Sequence, residues 1–184
     1  MKKALLTLAI LGLATVQSFG QRYMTREGYI QFYSSTPMED IEASSNQATS
    51  ALDKSNGQLV FRILMRSFTF EKALMQEHFN ENYVESEKFP NAQFAGTITN
   101  LSDVDFDTDG AYNVSITGKL TIHGVEKERT VNGQLHVKGE ELLLETEFMV
   151  APEDHDIEIP SVVRDNIAKE IKVTVKAKYQ ASGR

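Results

Sequence analysis

The sequence predicts an all-β domain in which about eight antiparallel strands enclose one core and a single helix interrupts them. Apolar and polar residues alternate with a period of two through most of the 184 residues, as in strands with one face in a core and the other in water. Only one long segment has apolar residues at helical spacing, and turn residues separate the strands. Eight such strands close readily into a barrel that can hold one elongated ligand, although a flattened sandwich would have the same pattern.

The strands that precede the predicted helix are residues 28–35, 39–52 and 59–65. In the first, Ile30 and Phe32 share one face. The second is polar and rich in small side chains, so it is expected to narrow the barrel interior or admit water to it. An Asn-Gly pair before the third strand tolerates the positive φ of a tight turn. The second strand keeps a period of two through Ile41, Ala43, Ser45, Gln47, Thr49 and Ala51.

The helix is predicted in the connection near residues 71–83. Ser67 or Thr69 can cap it, and Glu71 places a negative charge in the first turn, where the helix dipole favours one. Pro90 then forces the preceding residue towards extended geometry, so the helix ends before it. Apolar side chains recur at a spacing of about 3.6 residues at Leu74, Met75, Phe79 and Tyr83.

The second half of the chain contains the clearest alternation. A loop over residues 152–160 and a short helical turn near residues 162–168 separate the last two strands. The residues predicted to face the core are Phe94, Gly96, Ile98, Tyr112, Val114, Ile116, Gly118, Leu120, Ile122, Arg129, Val131, Gly133, Leu135, Val137, Leu142, Leu144, Thr146, Phe148, Val150, Ile171, Val173, Val175, Ala177 and Tyr179.

Composition excludes several classes of function. A formal charge of -7 disfavours a nucleic-acid partner, because binding phosphates requires a basic face. The absence of cysteine excludes disulfides, thiolate metal sites and cysteine nucleophiles. The length suits one domain with its own core, here residues 21–184.

The first twenty residues have the layout of a secretory signal peptide. Lys2 and Lys3 precede an apolar run over residues 4–16, and Ser18 and Gly20 supply the small residues of a cleavage site before Gln21. The apolar run is short for a bilayer span. We therefore expect export to the periplasm, or secretion, with no stable membrane insertion once residues 1–20 are removed. An uncleaved N-terminal anchor is the alternative.

The titratable residues form no catalytic or metal-binding pattern, so no catalytic residue, metal ligand or cofactor is predicted. His78 lacks the paired histidine of a helical zinc motif, and His123 is interpreted as stabilising a turn. The sequence has no nucleophile elbow, phosphate loop or dinucleotide-binding glycine pattern. Two acidic clusters are interpreted as solvated loops, namely Asp154-His155-Asp156 and Asp103, Asp105, Asp107 and Asp109.

Four segments resemble the YceI-like family of exported, lipocalin-like lipid-binding proteins. The most specific is G-x-L-T-I-H-G-V-x-K, which ends at Lys127. The four segments have the order and spacing of the family over roughly residues 28–180. They are LMQEHFNENYVESEKFPNAQFAGTI (74–98), YNVSITGKLTIHGVEKERTV (112–131), FMVAPEDHDIEIP (148–160) and EIKVTVKAKY (170–179).

This resemblance implies an extended eight-stranded antiparallel lipocalin-like barrel with a helix after an early strand. It also implies an apolar interior that binds a long-chain lipid, of polyisoprenoid or fatty-acyl type, for transport, storage or sequestration in the periplasm. The sequence leaves the oligomeric state open, including a homodimer. Two alternatives remain: an envelope interaction protein with a filled barrel, and a lipid-modifying enzyme with His123 or His155 as acid–base.

The predicted ligand-binding residues are the large apolar side chains of the inward faces and of the helical connection. Aromatic residues of the connection are candidates for a lid or mouth, and the strand residues for the cavity wall. The full set is Phe61, Ile63, Phe68, Phe70, Phe79, Tyr83, Phe94, Tyr112, Val114, Ile116, Phe148 and Val175.

Overall fold

The computed structural model describes residues 22–182, so the predicted signal peptide (1–20) lies outside the described residues. Within this range the chain forms a sheet of nine strands and one short α-helix. In chain order the elements are β1 (Arg22–Ser35), β2 (Asp40–Asp53), β3 (Gln58–Leu64), β4 (Thr69–Phe70), α1 (Ala73–His78), β5 (Asn91–Ile98), β6 (Gly110–Ile122), β7 (Val125–Lys138), β8 (Glu141–Val150) and β9 (Ile171–Ala181).

Eight of the strands close into an antiparallel barrel. The order around it is β1-β9-β8-β7-β6-β5-β3-β2, and pairing between β1 and β2 closes the ring. The two-residue β4 lies outside this ring and pairs with β2 beyond the end of β3. Closure gives every strand of the ring a neighbour on both sides, whereas a flattened sandwich would leave edge strands. The predicted eight-stranded barrel is thus confirmed.

The predicted alternation of β2 is wrong beyond the middle of the strand. The period of two in β2 holds through Ala43 and Ser45, but Ala48 and Ser50 are then buried, while Thr49 points outward. The partner strand β1 changes register at the same level, on either side of Gly28. These irregularities bend both strands sharply, and small residues let the two backbones approach at the bend.

The barrel interior divides into two clusters. One end is filled by packed side chains that include Leu135, Leu142 and Tyr179, all completely buried. At the other end, a second cluster joins strand residues such as Ile63 to Phe68, Phe70 and Val84 of the connection between β3 and β5. We call these the filled end and the covered end.

The predicted helix has a different start and a different second half. Lys72 is the N-cap residue and makes no side-chain capping bond, so neither Ser67 nor Thr69 caps α1, and Glu71 precedes the helix. The five residues Phe79–Tyr83 continue it as a π-helical turn. The later helical turn occurs as predicted, as the 3-10 segment Ser161–Asn166. No helix among residues 22–182 is long and apolar enough to cross a membrane.

Candidate functional site

The covered half of the barrel contains a cavity of about 340 Å³. Apolar side chains from all eight barrel strands point into it because the strand alternation directs every second residue inward. Its floor is the top of the filled end, at Leu59, Ile116 and Leu144. A volume of this size lies within the usual range for sites that hold small molecules, about 300–1,000 Å³.

The structure brings ten of the twelve predicted ligand-binding residues to this cavity. They come from strands β3, β5, β6, β8 and β9 and from the connection between β3 and β5. These ten residues are Phe61, Ile63, Phe68, Phe70, Phe79, Tyr83, Phe94, Ile116, Phe148 and Val175.

Tyr112 and Val114 do not line the cavity, so the structure does not bring these two predicted residues together with the other ten. Both face inward from β6, but at the level of the filled end, where Val114 is 3% exposed among packed side chains. The Tyr112 hydroxyl donates a hydrogen bond to the Thr108 carbonyl at 2.9 Å. Alternation alone identifies the inward face of a strand and not the depth at which the cavity begins.

Sequence reasoning missed two groups of cavity residues. Members of the inward strand faces that were not chosen as ligand-binding, such as Ile30, Phe32, Leu120 and Val131, line the cavity as well. Their alternation was the signal that could have identified them. A second group comes from the segment between β8 and β9 and has no periodic signal: Pro152, Ile157, Ile159, Val163 and Ile167.

Four phenylalanine rings form an aromatic cluster at the covered end. Phe79, from the π-helical turn, lies 5.3 Å from Phe32, 6.0 Å from Phe68 and 5.1 Å from Phe70, measured between ring centroids. Contacts of this kind stabilise by about 0.5–1.5 kcal/mol beyond the burial of area. The cluster therefore fixes the connection over the barrel and gives the cavity an apolar roof.

A pair of glycines shapes one wall. Gly96 of β5 lies opposite Gly118 of β6, and both face inward. A Cβ atom at either position would come within 2.8 Å of the Phe94 ring. The same Cβ atoms would also lie 2.7 Å from the Thr117 carbonyl oxygen at Gly96 and still closer to the Ala95 carbonyl oxygen at Gly118. The ring and the close approach of the two backbones together require glycine at both positions.

The polar side chains of β2 do not wet the cavity, contrary to expectation. Ser45 is hydrogen-bonded to Ser67 at 2.8 Å, and Ser50 donates to the Val60 carbonyl at 2.7 Å. Neither lines the cavity, to which β2 contributes Ile41 alone. Their hydroxyl groups are satisfied within the wall, so burial carries no unpaired polar group there.

Polar groups at the cavity margin join three segments. Glu39 accepts hydrogen bonds from Lys72 at 3.1 Å and from Asn166 at 3.2 Å. The Asn166 amide, followed by Lys72, lowers the pKa of the Glu39 carboxyl. These contacts tie the β1–β2 hairpin to the start of α1 and to the 3-10 segment Ser161–Asn166, beside the cavity.

Arg129 is the charged residue of β7 that lies at the cavity wall. Its guanidinium carbon lies 5.9 Å from the centroid of the Phe148 ring, which itself lines the cavity. Its Nη1 group donates to the Met149 carbonyl of β8. Its side chain is 21% exposed, and Nη2 lies 4.0 Å from the exposed carboxylate of Asp154.

Two histidines connect separate segments of the chain by hydrogen bonds near the cavity margin. The Nε2 atom of His123 lies 2.7 Å from Glu85, and its Nδ1 atom lies 3.1 Å from the carbonyl oxygen of His155. The ring of His155 is completely buried, and its Nδ1 donates to the Val125 carbonyl at 3.0 Å. Both rings thus join loops to the β6–β7 hairpin, and neither lines the cavity.

The acidic clusters have separate geometries. His155 is buried while Asp154 and Asp156 are exposed, so the three side chains do not converge. Asp105 accepts hydrogen bonds from its own turn, at the Asp107 amide and the Thr108 hydroxyl. Among residues 22–182, no group of three or more histidine, aspartate or glutamate side chains is placed to hold a metal ion.

Comparison with known families gives a match to the YceI-like domain over residues 25–179. This chain belongs to the YceI-like domain family. The match includes most or all of every barrel strand and the two-residue connection His123-Gly124 between β6 and β7. No curated protein matched the sequence.

Three solved structures show the same fold as this YceI-like domain. A polyisoprenoid binding domain from Saccharophagus degradans is 12% identical with a TM-score of 0.76, covering 88% of this chain and 99% of the other. Burkholderia cenocepacia BcnA is 14% identical with a TM-score of 0.69, covering 84% and 96%. The Campylobacter jejuni YCEI protein is 12% identical with a TM-score of 0.57, covering 99% and 94%.

Proposed function

We propose that this YceI-like domain binds an amphiphilic lipid, with its long apolar chain inside the barrel cavity. The observation that carries the proposal is a cavity of about 340 Å³ whose wall is almost entirely apolar. The polyisoprenoid binding domain of Saccharophagus degradans has the same fold, which supports an isoprenoid chain, and a fatty-acyl chain has the same requirements.

The free energy of such binding comes mainly from burial of the apolar lipid chain. Each methylene removed from water contributes about 0.8 kcal/mol, so a dozen contribute on the order of 10 kcal/mol before the chain is ordered. A single exposed polar contact contributes far less. The domain is therefore expected to accept several head groups on chains of suitable length, and to serve transport, storage or sequestration.

The two alternatives fit the structure less well. An interaction protein with a filled barrel requires packed side chains where the cavity lies. A lipid-modifying enzyme requires converging acid and base groups, but His123 and His155 lie outside the cavity lining. Binding is the function that the cavity itself supports.

We also propose that the domain acts in the periplasm or is secreted, after removal of residues 1–20. The basic start at Lys2 and Lys3, the apolar run and the small residues before Gln21 support this. Intact-mass measurement of the protein from the cell envelope and from the medium would test it. A mature chain that begins at Gln21 is the expected result, and a full-length chain would contradict removal of residues 1–20.

Native mass spectrometry of the protein purified from cells tests lipid binding directly. We expect a bound lipid, or uptake of geranylgeraniol or palmitate by lipid-free protein. Recovery of lipid-free protein alone, together with no uptake of either probe, would refute the proposal.

A cavity-filling variant sharpens this test. Val175 lines the cavity and is 6% exposed, so Val175→Phe places a ring where the chain would lie. We expect lipid affinity to fall by about tenfold or more, since displacing two methylenes costs about 1.6 kcal/mol. Titration with both probes provides the measurement.

The matched control is Val60→Phe, which adds the same atoms to a valine that is 49% exposed on β3 and absent from the cavity lining. It should bind like the wild type. Thermal unfolding of both variants confirms that each folds. Equal affinities for Val175→Phe and Val60→Phe would place the ligand outside the cavity.

A further inference from the structure

Arg129 differs from the other charged residues at the cavity. Glu39 is paired with Lys72 and Asn166, and Arg62 is exposed on β3, where its Nε group donates to Asn91. Arg129 instead continues the inward face of β7 that includes the buried Val131 and Leu135. An inward cation in an apolar wall is costly unless it has partners.

The partners of Arg129 occupy few of its hydrogen-bond donors. A guanidinium group has five N–H donors. Within residues 22–182, its one hydrogen bond goes to the Met149 carbonyl. The contact with Asp154, at 4.0 Å, is too long for a hydrogen bond, and the Asp154 side chain is 55% exposed. Exposed pairs of this kind contribute about 0–1 kcal/mol.

The position of the Arg129 guanidinium follows from where the pairing between β7 and β8 ends. Pairing between β7 and β8 runs from Lys138↔Glu141 to Gly133↔Thr146 and stops there. Beyond that level the two strands diverge, and the Arg129 side chain reaches across to β8 at Phe148 and Met149. This holds the positive charge beside a ring that lines the cavity, and Arg129 itself belongs to the cavity lining.

We propose that Arg129 binds the anionic head group, carboxylate or phosphate, of the lipid whose chain occupies the cavity. This inference rests on the proposed lipid binding and adds a preference for acidic lipids over neutral lipids with the same chain. The guanidinium matches such head groups well, because its parallel N–H donors form two charge-assisted hydrogen bonds to a carboxylate or a phosphate. A bound anion would also neutralise the cation and occupy donors that the protein leaves without partners.

Two pairs of probes separate the head group from the chain. Palmitate and hexadecanol share a saturated chain, and geranylgeranyl monophosphate and geranylgeraniol share an isoprenoid chain. Affinities are measured by titration at about pH 8, where both acids are ionised. We expect Arg129→Gln to weaken binding of one or both acidic lipids by about tenfold or more and to change the alcohols less than about twofold. The acid that is affected identifies the head group.

Further variants distinguish this role from structural support of the contact between β7 and β8. Arg129→Lys keeps the charge and should retain part of the affinity for the acid. Arg164→Gln is the control, because it removes the same charge from an exposed ion pair with Glu153 and lies outside the cavity lining. An equal loss for acids and alcohols in Arg129→Gln, or no loss for either acid, would overturn the inference. If the wild type binds none of the four probes, the proposed function itself fails.

Discussion

Tyr179 is the largest completely buried side chain among residues 22–182, and one hydroxyl on another strand satisfies it. The Tyr179 hydroxyl lies 2.7 Å from Ser50 Oγ, which in turn donates to the Val60 carbonyl at 2.7 Å. The tyrosine must therefore donate to the serine. Burial raises the pKa of Tyr179 well above its ordinary value. One small polar residue of β2 thus permits a large aromatic residue of β9 in the filled end.

Ser50→Ala should lower the free energy of unfolding by about 1–3 kcal/mol, because it leaves the buried Tyr179 hydroxyl without a partner. Urea denaturation measures this change. Adding Tyr179→Phe to Ser50→Ala should recover part of the loss, since the unpaired group is then absent. Ser102→Ala, at an exposed position, is the control. Equal stability of Ser50→Ala and the wild type would show that the hydrogen bond contributes nothing.

At the scale of elements, the 3-10 segment Pro152–His155 covers the part of β7 that β8 leaves unpaired. His155 makes this contact through its Nδ1–H bond to the Val125 carbonyl. The other ring nitrogen, Nε2, is buried without a hydrogen-bond partner among the described residues. Burial lowers the pKa of His155, and although the hydrogen bond and Asp154 oppose this, Arg129 and Lys127 add to it. Burial in the folded protein therefore favours the neutral form of this ring.

Because the unfolded chain binds this proton more tightly than the folded one, His155 makes stability depend on pH. Its contribution is complete above the ordinary histidine pKa of about 6.5 and is lost as the pH falls below it. We expect the unfolding free energy of the wild type to decrease between about pH 7 and about pH 5. His155→Gln should reduce this slope, whereas the exposed control His78→Gln should not. Identical slopes in all three proteins would contradict the assignment.

At the scale of the whole molecule, the barrel combines a packed half with a half that contains the cavity. The filled end is packed by residues from all eight barrel strands, whereas the covered end depends on α1, the π-helical turn and the segment between β8 and β9. The six residues of α1 are too few for a helix that is stable without tertiary contacts. We therefore expect the covering segments to open locally at a lower free energy than the filled end.

Hydrogen exchange should resolve these two halves. Amides of β7 and β8 near Leu135 and Leu142 should exchange most slowly, and those of residues 73–83 much faster, because local opening needs less free energy there. A bound lipid should slow exchange in residues 73–83 and Ser161–Asn166 and leave the filled end unchanged. The Val175→Phe variant should not respond to lipid. A lipid effect spread evenly over the barrel would contradict a ligand in the covered half.

Most of the predicted strands and inward faces needed no tertiary information, because alternation requires only that one side of a strand meet a core. Phe61, Phe94 and Phe148 reached the cavity for that reason. The inward face of β2 beyond Ser45 was mispredicted because the register between β1 and β2 is irregular there, and this irregularity reverses the alternation. The composition of the strand gives no sign of it. The start of α1 was mispredicted because packing of Phe79 against Phe32 and Phe70, and not a capping side chain, determines where the helix lies.

The sequence by itself predicted about eight antiparallel strands and most of their inward faces from periodicity, and the family from a resemblance in motifs such as the one that contains His123-Gly124. Pairing between β1 and β2, which closes the barrel instead of leaving a sandwich, is visible only in the tertiary structure. Tertiary structure alone decided where the core ends and the cavity begins. Val114 is packed and Ile116 meets the cavity, although both occupy the same face of β6. It also decided that Arg129, one inward position among many, lies where β7 and β8 separate. Depth along a barrel and the gap between two strands depend on contacts among distant segments, which no local pattern records.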